Sequence, residues 1–321
     1  MNKKEVILVI GALGQIGAGL TAALRNKHGM EAVVATDELE ADVKLQDDGI
    51  YERLNVLDKL AIEEIVVRKG ITTIYHLSIV ISEISDINTT HTWNTQIVSL
   101  LNVLDVAKIF SLKVFWPSSL AVFGNNSPKV LCPQHTVTEP ITVFGIIKCA
   151  GEHLCNYYYE KYGVDVRSLR YPGLISFSSK PAGSIMHYAV DIFHNAVLNG
   201  YYLCFLKEET TLPMMYMPDA VRAALELMDA PGYQVKIRTA YNISAMSFSP
   251  KNLAAAITTH LPDFTIHYKP DARQKIADSW PKSIDYDVAT KDWNWRPKYD
   301  LESMTSDMLQ QINNYKEIRY S

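Results

Sequence analysis

The stretch from Glu5 to Gly17, Glu-Val-Ile-Leu-Val-Ile-Gly-Ala-Leu-Gly-Gln-Ile-Gly, constrains this chain more than any other. A short apolar run rich in β-branched residues flows into glycines at 11, 14 and 17. A helical pattern follows from Ala18 to Lys27 and stops at Gly29. The order is strand, tight turn, helix. Glycine permits the sharp turn and lets backbone N–H groups approach a pyrophosphate at the helix N-terminus. Gln15 and Ile16 belong to the same phosphate-facing backbone as Gly11, Gly14 and Gly17. Glycines also mark ordinary turns. Here the strand before and the helix after supply the context that the motif requires.

A second strand, predicted over 31–36, ends in Asp37, about 20 residues beyond the last glycine of the motif. An acid at that point accepts hydrogen bonds from the hydroxyls of an adenosine ribose and repels a 2′-phosphate. The residues that follow, Glu38, Leu39, Glu40, Ala41 and Asp42, include no arginine. The expected cofactor is therefore NAD rather than NADP. The competing reading is an aspartate that merely opens a turn. It carries less weight beside the glycine pattern.

Strand and helix patterns alternate through the first half. Strands are predicted over 5–10, 31–36, 51–56, 72–77, 113–117 and 164–170, and helices over 15–27, 58–69, 89–109 and 143–162. This is the pattern of an α/β fold of Rossmann type, a doubly wound parallel sheet. After Pro172 the segments shorten and the alternation is lost. The expected organisation is an NAD-binding Rossmann domain over 1–172 and a smaller C-terminal substrate lobe over 173–321, with C-terminal segments free to return to the first domain. In open sheets of this kind the ligand sits beyond the carboxyl ends of the strands.

Composition narrows the function classes. A net charge of −4 argues against a nucleic-acid-binding face. The four cysteines show no C-x-x-C spacing and the nine histidines no H-E-x-x-H, so no metal site is expected and the thiols fit a reducing compartment. Lys3-Lys4 and the apolar run behind them resemble a secretory leader. The glycine spacing and Asp37 account for those residues better. No apolar run approaches the ~18 residues that span a membrane. A cytoplasmic location is expected, and a mitochondrial one would need a removed transit peptide.

The predicted strand 113–117 leads into Trp116-Pro-Ser-Ser119. Further on stands Phe144-Gly-Ile-Ile-Lys148, whose first and last residues share one helical face. With these residues the chain resembles the extended short-chain dehydrogenases of the epimerase/dehydratase superfamily, in which a Ser/Thr at a strand end works with Tyr-x-x-x-Lys. More narrowly it is similar to the short-chain type of L-threonine 3-dehydrogenase. The matching segments run the length of the chain: Gly11 to Gly17, Trp116 to Ser119, Tyr162-Gly-Val-Asp-Val-Arg-Ser-Leu-Arg-Tyr-Pro-Gly173, Leu212-Pro-Met-Met-Tyr-Met-Pro-Asp219, Tyr241-Asn-Ile-Ser-Ala-Met-Ser-Phe248 and Arg273 to Asp285 with its Asp278-Ser-Trp-Pro281.

The resemblance implies oxidation of the L-threonine β-hydroxyl to give L-2-amino-3-oxobutanoate. A tyrosine phenol, whose free pKa is about 10, is brought toward working pH by a neighbouring lysine and takes the proton. It implies catalytic roles for Ser119, Lys148 and the position of Phe144. It implies cofactor contacts at Asn55, Val56, Leu77, Lys148 and Tyr171, and substrate contacts at Ser82, Ser119, Ser184, Met186 and Trp280. It also implies a homodimer paired through the helices at 89–109 and 143–162.

The chain departs from the family where the chemistry lies. Phe144 replaces the tyrosine and can neither accept nor donate a proton; loss of a placed general base costs about 10²–10⁴ in rate. The family's Gly-Gly-Gly-Thr-Thr-Asp-Tyr is here Ala182-Gly-Ser-Ile-Met-His-Tyr188, so Ile185 and Met186 replace hydroxyl residues and His187 an acid. Ile147 stands for a small hydroxyl residue, Gln96 for an asparagine, Asn55 for an aspartate and Thr211 for an arginine. Such clustering suits a chain whose reaction has been lost or changed, and equally a diversified laboratory sequence. Three functions follow: an impaired threonine dehydrogenase, an inactive NAD-binding partner or sensor, and a nucleotide-sugar epimerase or dehydratase. The third also needs the tyrosine, so Phe144 does not favour it. Bland readings stand beside these. Ser119 could simply end a strand, Lys148 could be solvated, and Trp280 could be a packing aromatic. A lone histidine such as His187 is more often structural than a substitute base.

Overall fold

Ile7–Ile10 are four apolar residues in a row, three of them β-branched, and they form a strand, β1, buried on both faces. The computed structural model describes residues 5–40, 49–78, 88–177 and 185–320. After β1 come α1 (Gln15–His28), β2 (Val33–Asp37), β3 (Tyr51–Arg53), α2 (Lys59–Lys69), β4 (Thr73–His76), α3 (Thr89–Trp93), α4 (Ser99–Phe110), β5 (Lys113–Ser119), α5 (Val143–Tyr162) and β6 (Val166–Tyr171). Side-chain caps fix two of these helices. Asp58 accepts from the Ala61 N–H at the start of α2, and Thr142 from the Gly145 N–H at the start of α5.

The main sheet has the order β10-β6-β5-β4-β1-β2-β3, with β10 at Tyr241–Asn242. The pairings of β1 with β2 and β4, of β2 with β3, and of β4 with β5 are parallel. This is a doubly wound Rossmann-type sheet, and its strand order reverses between β1 and β4. Ile10 lies opposite His76 at that reversal, which is where the crevice of such sheets opens. The core on one side joins Leu8, Val34 and Val114 of the sheet to Ile62 of α2, Leu104 of α4 and Cys155 of α5.

The observed elements sharpen the expected ones. The strand expected over 31–36 is a 3-10 turn at Met30–Ala32 followed by β2. The strand expected over 51–56 stops at Arg53. The helix expected over 89–109 is interrupted by a π-helical turn at Asn94–Val98. β5 runs two residues past the expected end and carries Ser119 as its last residue.

Two compact units divide the chain. One comprises Met1–Ser119, Thr142–Arg170 and Val221–Tyr241, and the other Leu120–Ile141, Tyr171–Ala220 and Asn242–Ser321. The second unit holds two small sheets. In one, β9 (Leu212–Tyr216) pairs parallel with β7 (Gly173–Ile175) and antiparallel with β11 (Met246–Phe248). In the other, β8 (Tyr201–Cys204) pairs parallel with β12 (Thr265–Tyr268). Its helices include α6 (Tyr188–Asn199), α8 (Pro250–Thr258), α9 (Arg273–Ser279), α10 (Asp287–Trp293) and α11 (Leu301–Tyr320), while α7 (Met217–Asp229) bridges the division. Among the described residues no helix is long and apolar enough to cross a membrane.

Candidate functional site

The glycine turn is built so tightly that side chains are excluded. Gly11 has φ +85°, and a Cβ there would lie 2.7 Å from the Ser78 nitrogen; a Cβ on Gly17 would lie 2.1 Å from the Gly11 carbonyl oxygen. The Gly11 and Ala12 N–H groups both donate to the Thr36 carbonyl, at 2.9 and 3.0 Å, which ties the turn to β2. Gly14 caps α1 without a side-chain bond, and the first turn carries no acid. The N-terminal N–H groups of α1, at Gln15, Ile16 and Gly17, therefore belong to a positive helix end whose own first turn supplies no carboxylate. Gln15 is exposed. This cradle fits a dinucleotide pyrophosphate.

Asp37 ends β2, and its carboxylate braces the turn. Oδ2 accepts from the Leu13 N–H at 3.1 Å, and Oδ1 accepts from the Glu38 N–H at 2.9 Å. Strand pairing also sets Arg53 opposite Asp37, and the Arg53 Nε donates to the Glu38 carbonyl at 2.8 Å. The residues that follow Asp37 give no sign of this arginine, because it arrives across the sheet. Asn55 is exposed, and its side chain accepts from the Leu57 N–H at 2.9 Å. Val56 and Leu77 are buried, and the Leu77 N–H donates to the Ile10 carbonyl at 2.7 Å. Leu77 thus follows β4 at the strand-order reversal.

β5 and α5 approach closely because α5 carries Gly151, where a Cβ would meet the Trp116 ring at 2.3 Å. Lys148, one turn earlier, is only 2% exposed. Its Nζ donates to the Pro117 carbonyl at 2.8 Å and sits 4.5 Å from the centre of the Trp116 ring and 5.5 Å from that of Phe144. Burial lowers the Lys148 ammonium to about 7, with Cys155 and Glu152 acting in the other direction. Ser119 is half-buried at the end of the same strand. Ser119, Phe144 and Lys148 therefore all belong to the β5–α5 pair. His76, at the end of β4, is buried, bonds Ser99 Oγ through Nε2 at 3.2 Å and leaves Nδ1 without a partner. Burial first, and then the Lys148 charge, lowers it to about 3, so it is neutral. Gln96 lies in the π-helical turn before Ser99 and is buried.

In the second unit, the Tyr171 hydroxyl donates to the Ala220 carbonyl at 2.9 Å. Ile185, Met186 and His187 form a 3-10 turn before α6. Met186 is 9% exposed, and a Cβ on Gly173 would lie 2.9 Å from its sulfur. The methionine thus packs against β7. Burial lowers the His187 imidazole below its usual range. Trp280 follows α9 and is buried, and the Lys129 ammonium donates to the neighbouring Ser279 carbonyl at 2.6 Å. Ser82 and Ser184 lie outside the described residues. Sequence reasoning passed over two buried charged residues beside the β5–α5 pair: Glu152, two turns from Phe144 on one helix face, and Arg170, inside a buried strand.

A model of the NAD dependent epimerase/dehydratase family matches residues 7–244. A Staphylococcus saprophyticus protein, an uncharacterized epimerase/dehydratase, is 42% identical over 308 residues, 95% of this chain and 96% of its own. The structure of a GalE-like L-threonine dehydrogenase from Cupriavidus necator, in its holo form, is 47% identical and superposes with a TM-score of 0.93 over 96% of this chain and 99% of that one. A monomeric L-threonine 3-dehydrogenase from a metagenome, in apo form, is 44% identical with a TM-score of 0.92 over 97% and 99% of the two chains.

Proposed function

This chain belongs to the NAD dependent epimerase/dehydratase family, and we propose that it is an oxidoreductase of the L-threonine 3-dehydrogenase type whose proton transfer is impaired at position 144. One observation carries this reading. Lys148 is buried against the Pro117 carbonyl on the strand that ends in Ser119, and a phenyl ring faces it where a phenol would stand. The serine and lysine are present and the proton carrier between substrate and lysine is not.

The backbone from Gly11 to Gly17 would hold the pyrophosphate, Asp37 the adenosine ribose, and Asn55 and Val56 the adenine end. Leu77, Tyr171 and Lys148 would hold the nicotinamide half. NAD, once bound, would supply an acceptor for the two electrons and the hydrogen that leave the substrate carbon. Ser119 Oγ orients the substrate hydroxyl. Lys148, with its proton affinity lowered to about 7 by burial, gains or loses a proton near neutral pH. Phe144 relays nothing. Ser82, Ser184, Met186 and Trp280 are assigned to the substrate, and the second unit to its recognition. A cytoplasmic location goes with this reading.

Restoring the hydroxyl tests it. Phe144→Tyr should raise threonine-dependent NADH formation by about two orders of magnitude or more, the usual worth of a placed general base. Robust threonine oxidation by the unmodified chain would overturn the impairment and turn attention to His187. The packing of Met186 against β7 favours a second reading, an NAD-binding protein that has lost its substrate. Under that reading Phe144→Tyr binds NADH and remains inactive.

A further inference from the structure

Ser118 and Ser119 are neighbours, yet Ser118 is turned into a buried network. Its hydroxyl donates to Glu152 Oε1 at 2.6 Å. The same oxygen accepts from Arg170 Nε at 2.9 Å, and Oε2 accepts from an Arg170 terminal nitrogen at 2.8 Å. Ser118, Glu152 and Arg170 are all buried. They come from β5, α5 and β6 respectively. One residue earlier on β5, the Pro117 carbonyl accepts from Lys148, one turn before Glu152 on α5. Two consecutive residues of the strand are thus bonded to two consecutive turns of the helix. Arg170 closes the frame from the next strand.

A buried ion pair is a poor source of net stability, because desolvating both charges offsets their attraction. An apolar set of similar volume would pack β5 against α5 as well. A bidentate guanidinium–carboxylate pair does fix direction. We infer that Glu152 is a positioning residue, which holds the end of β5 and the Lys148 turn of α5 in one frame so that Ser119 and Lys148 face the same reacting group. This rests on the proposed reading that Ser119 and Lys148 are the working pair.

The carboxylate also acts on Lys148 through its charge. Burial lowers the lysine, and Cys155 and Glu152 oppose that. Burial holds the Cys155 thiol protonated, so the carboxylate is the charge that counts. His76, from β4, faces the same lysine and is neutral.

The full chain, labelled with ¹³Cε-lysine, would be titrated by NMR, with the Lys148 resonance assigned through Lys148→Arg. Glu152→Gln keeps the shape and removes the charge; it should lower the Lys148 midpoint by about one pH unit. Ser118→Ala removes a single donor, leaves the charge less shared and should move the midpoint upward. In the Phe144→Tyr background, Ser118→Ala should lower kcat by about tenfold or more with KM for NAD unchanged. The titration needs no turnover, so it decides the inference even if threonine oxidation fails, and Ser118→Ala decides it if Glu152→Gln does not fold. A lowered melting temperature with the Lys148 midpoint unmoved in both variants would make the network purely structural and overturn the inference.

Discussion

Asp37 braces the glycine turn, and the same carboxylate is the group proposed to hold the adenosine ribose. Oδ2 accepts the Leu13 N–H and retains a lone pair for a ribose hydroxyl, while Oδ1 accepts the Glu38 N–H and, at 3.4 Å, the Leu39 N–H. Its place at the end of β2 was legible because the motif is local: strand, glycines and acid follow at fixed offsets. Arg53 was not, since only strand pairing brings it opposite Asp37. The two residues pull cofactor choice in opposite directions. The carboxylate repels a 2′-phosphate and the guanidinium attracts one. The carboxylate should dominate, because it stands at the strand end beside the glycine turn while the Arg53 Nε is held by the Glu38 carbonyl. NADH should bind well ahead of NADPH in a fluorescence titration. Asp37→Ala should weaken NADH by about 1.5–3 kcal/mol, the worth of hydrogen bonds to a charged acceptor, and narrow the gap. Adding Arg53→Ala should then take back whatever NADPH gained. Equal affinity of the unmodified chain for the two cofactors would refute the specificity argument.

At the scale of elements, α1, α2 and α5 were legible almost to their ends, because apolar periodicity and capping residues mark them in sequence. The π-helical turn at Asn94–Val98 was hidden, since an extra residue in a helical turn leaves the composition helical. The C-terminal elements were hidden for a different reason. Strands of two to four residues such as β10 and β12 owe their form to partners far along the chain, not to their own pattern. The candidate site divides the same way. Ser119, Phe144 and Lys148 come from the family resemblance, with spacing adding only that 144 and 148 share a helix face, while Glu152 and Arg170 emerge only when α5 lies on the sheet. That packing depends on Gly151. A methyl there would push into the Trp116 ring, and overpacking of this kind costs about 1–3 kcal/mol. Gly151→Ala should lower the unfolding free energy measured in urea by that amount and should also perturb Lys148, whose bond to Pro117 needs the same approach. Gly151→Ala combined with Trp116→Leu should regain much of the stability. A single variant as stable as the parent would show that α5 can shift without strain.

The whole molecule raises the question of partners. α4 and α5 pack against each other, and the Tyr158 hydroxyl of α5 donates to Asp105 of α4 at 2.8 Å. Lys59 of α2 holds the other oxygen of Asp105 at 3.1 Å. On this braced pair, large apolar side chains remain in solvent: Ile109 is 56% exposed and Ile146 is 48% exposed, with Tyr157 also open. Scattered exposed apolar residues need no explanation, but several on one helical pair match the pairing expected from the sequence resemblance. A related threonine dehydrogenase is nonetheless monomeric, so membership of the family does not decide the matter and the apolar residues must carry it. Light scattering should give about twice the 36.2 kDa chain mass. Ile109→Glu should halve that value while leaving the circular dichroism unchanged, because the side chain touches solvent in the single chain and a charge there costs nothing until two copies meet. A mass of one chain at every concentration would place this protein with its monomeric relative. The apolar residues on α4 and α5 would then be ordinary surface.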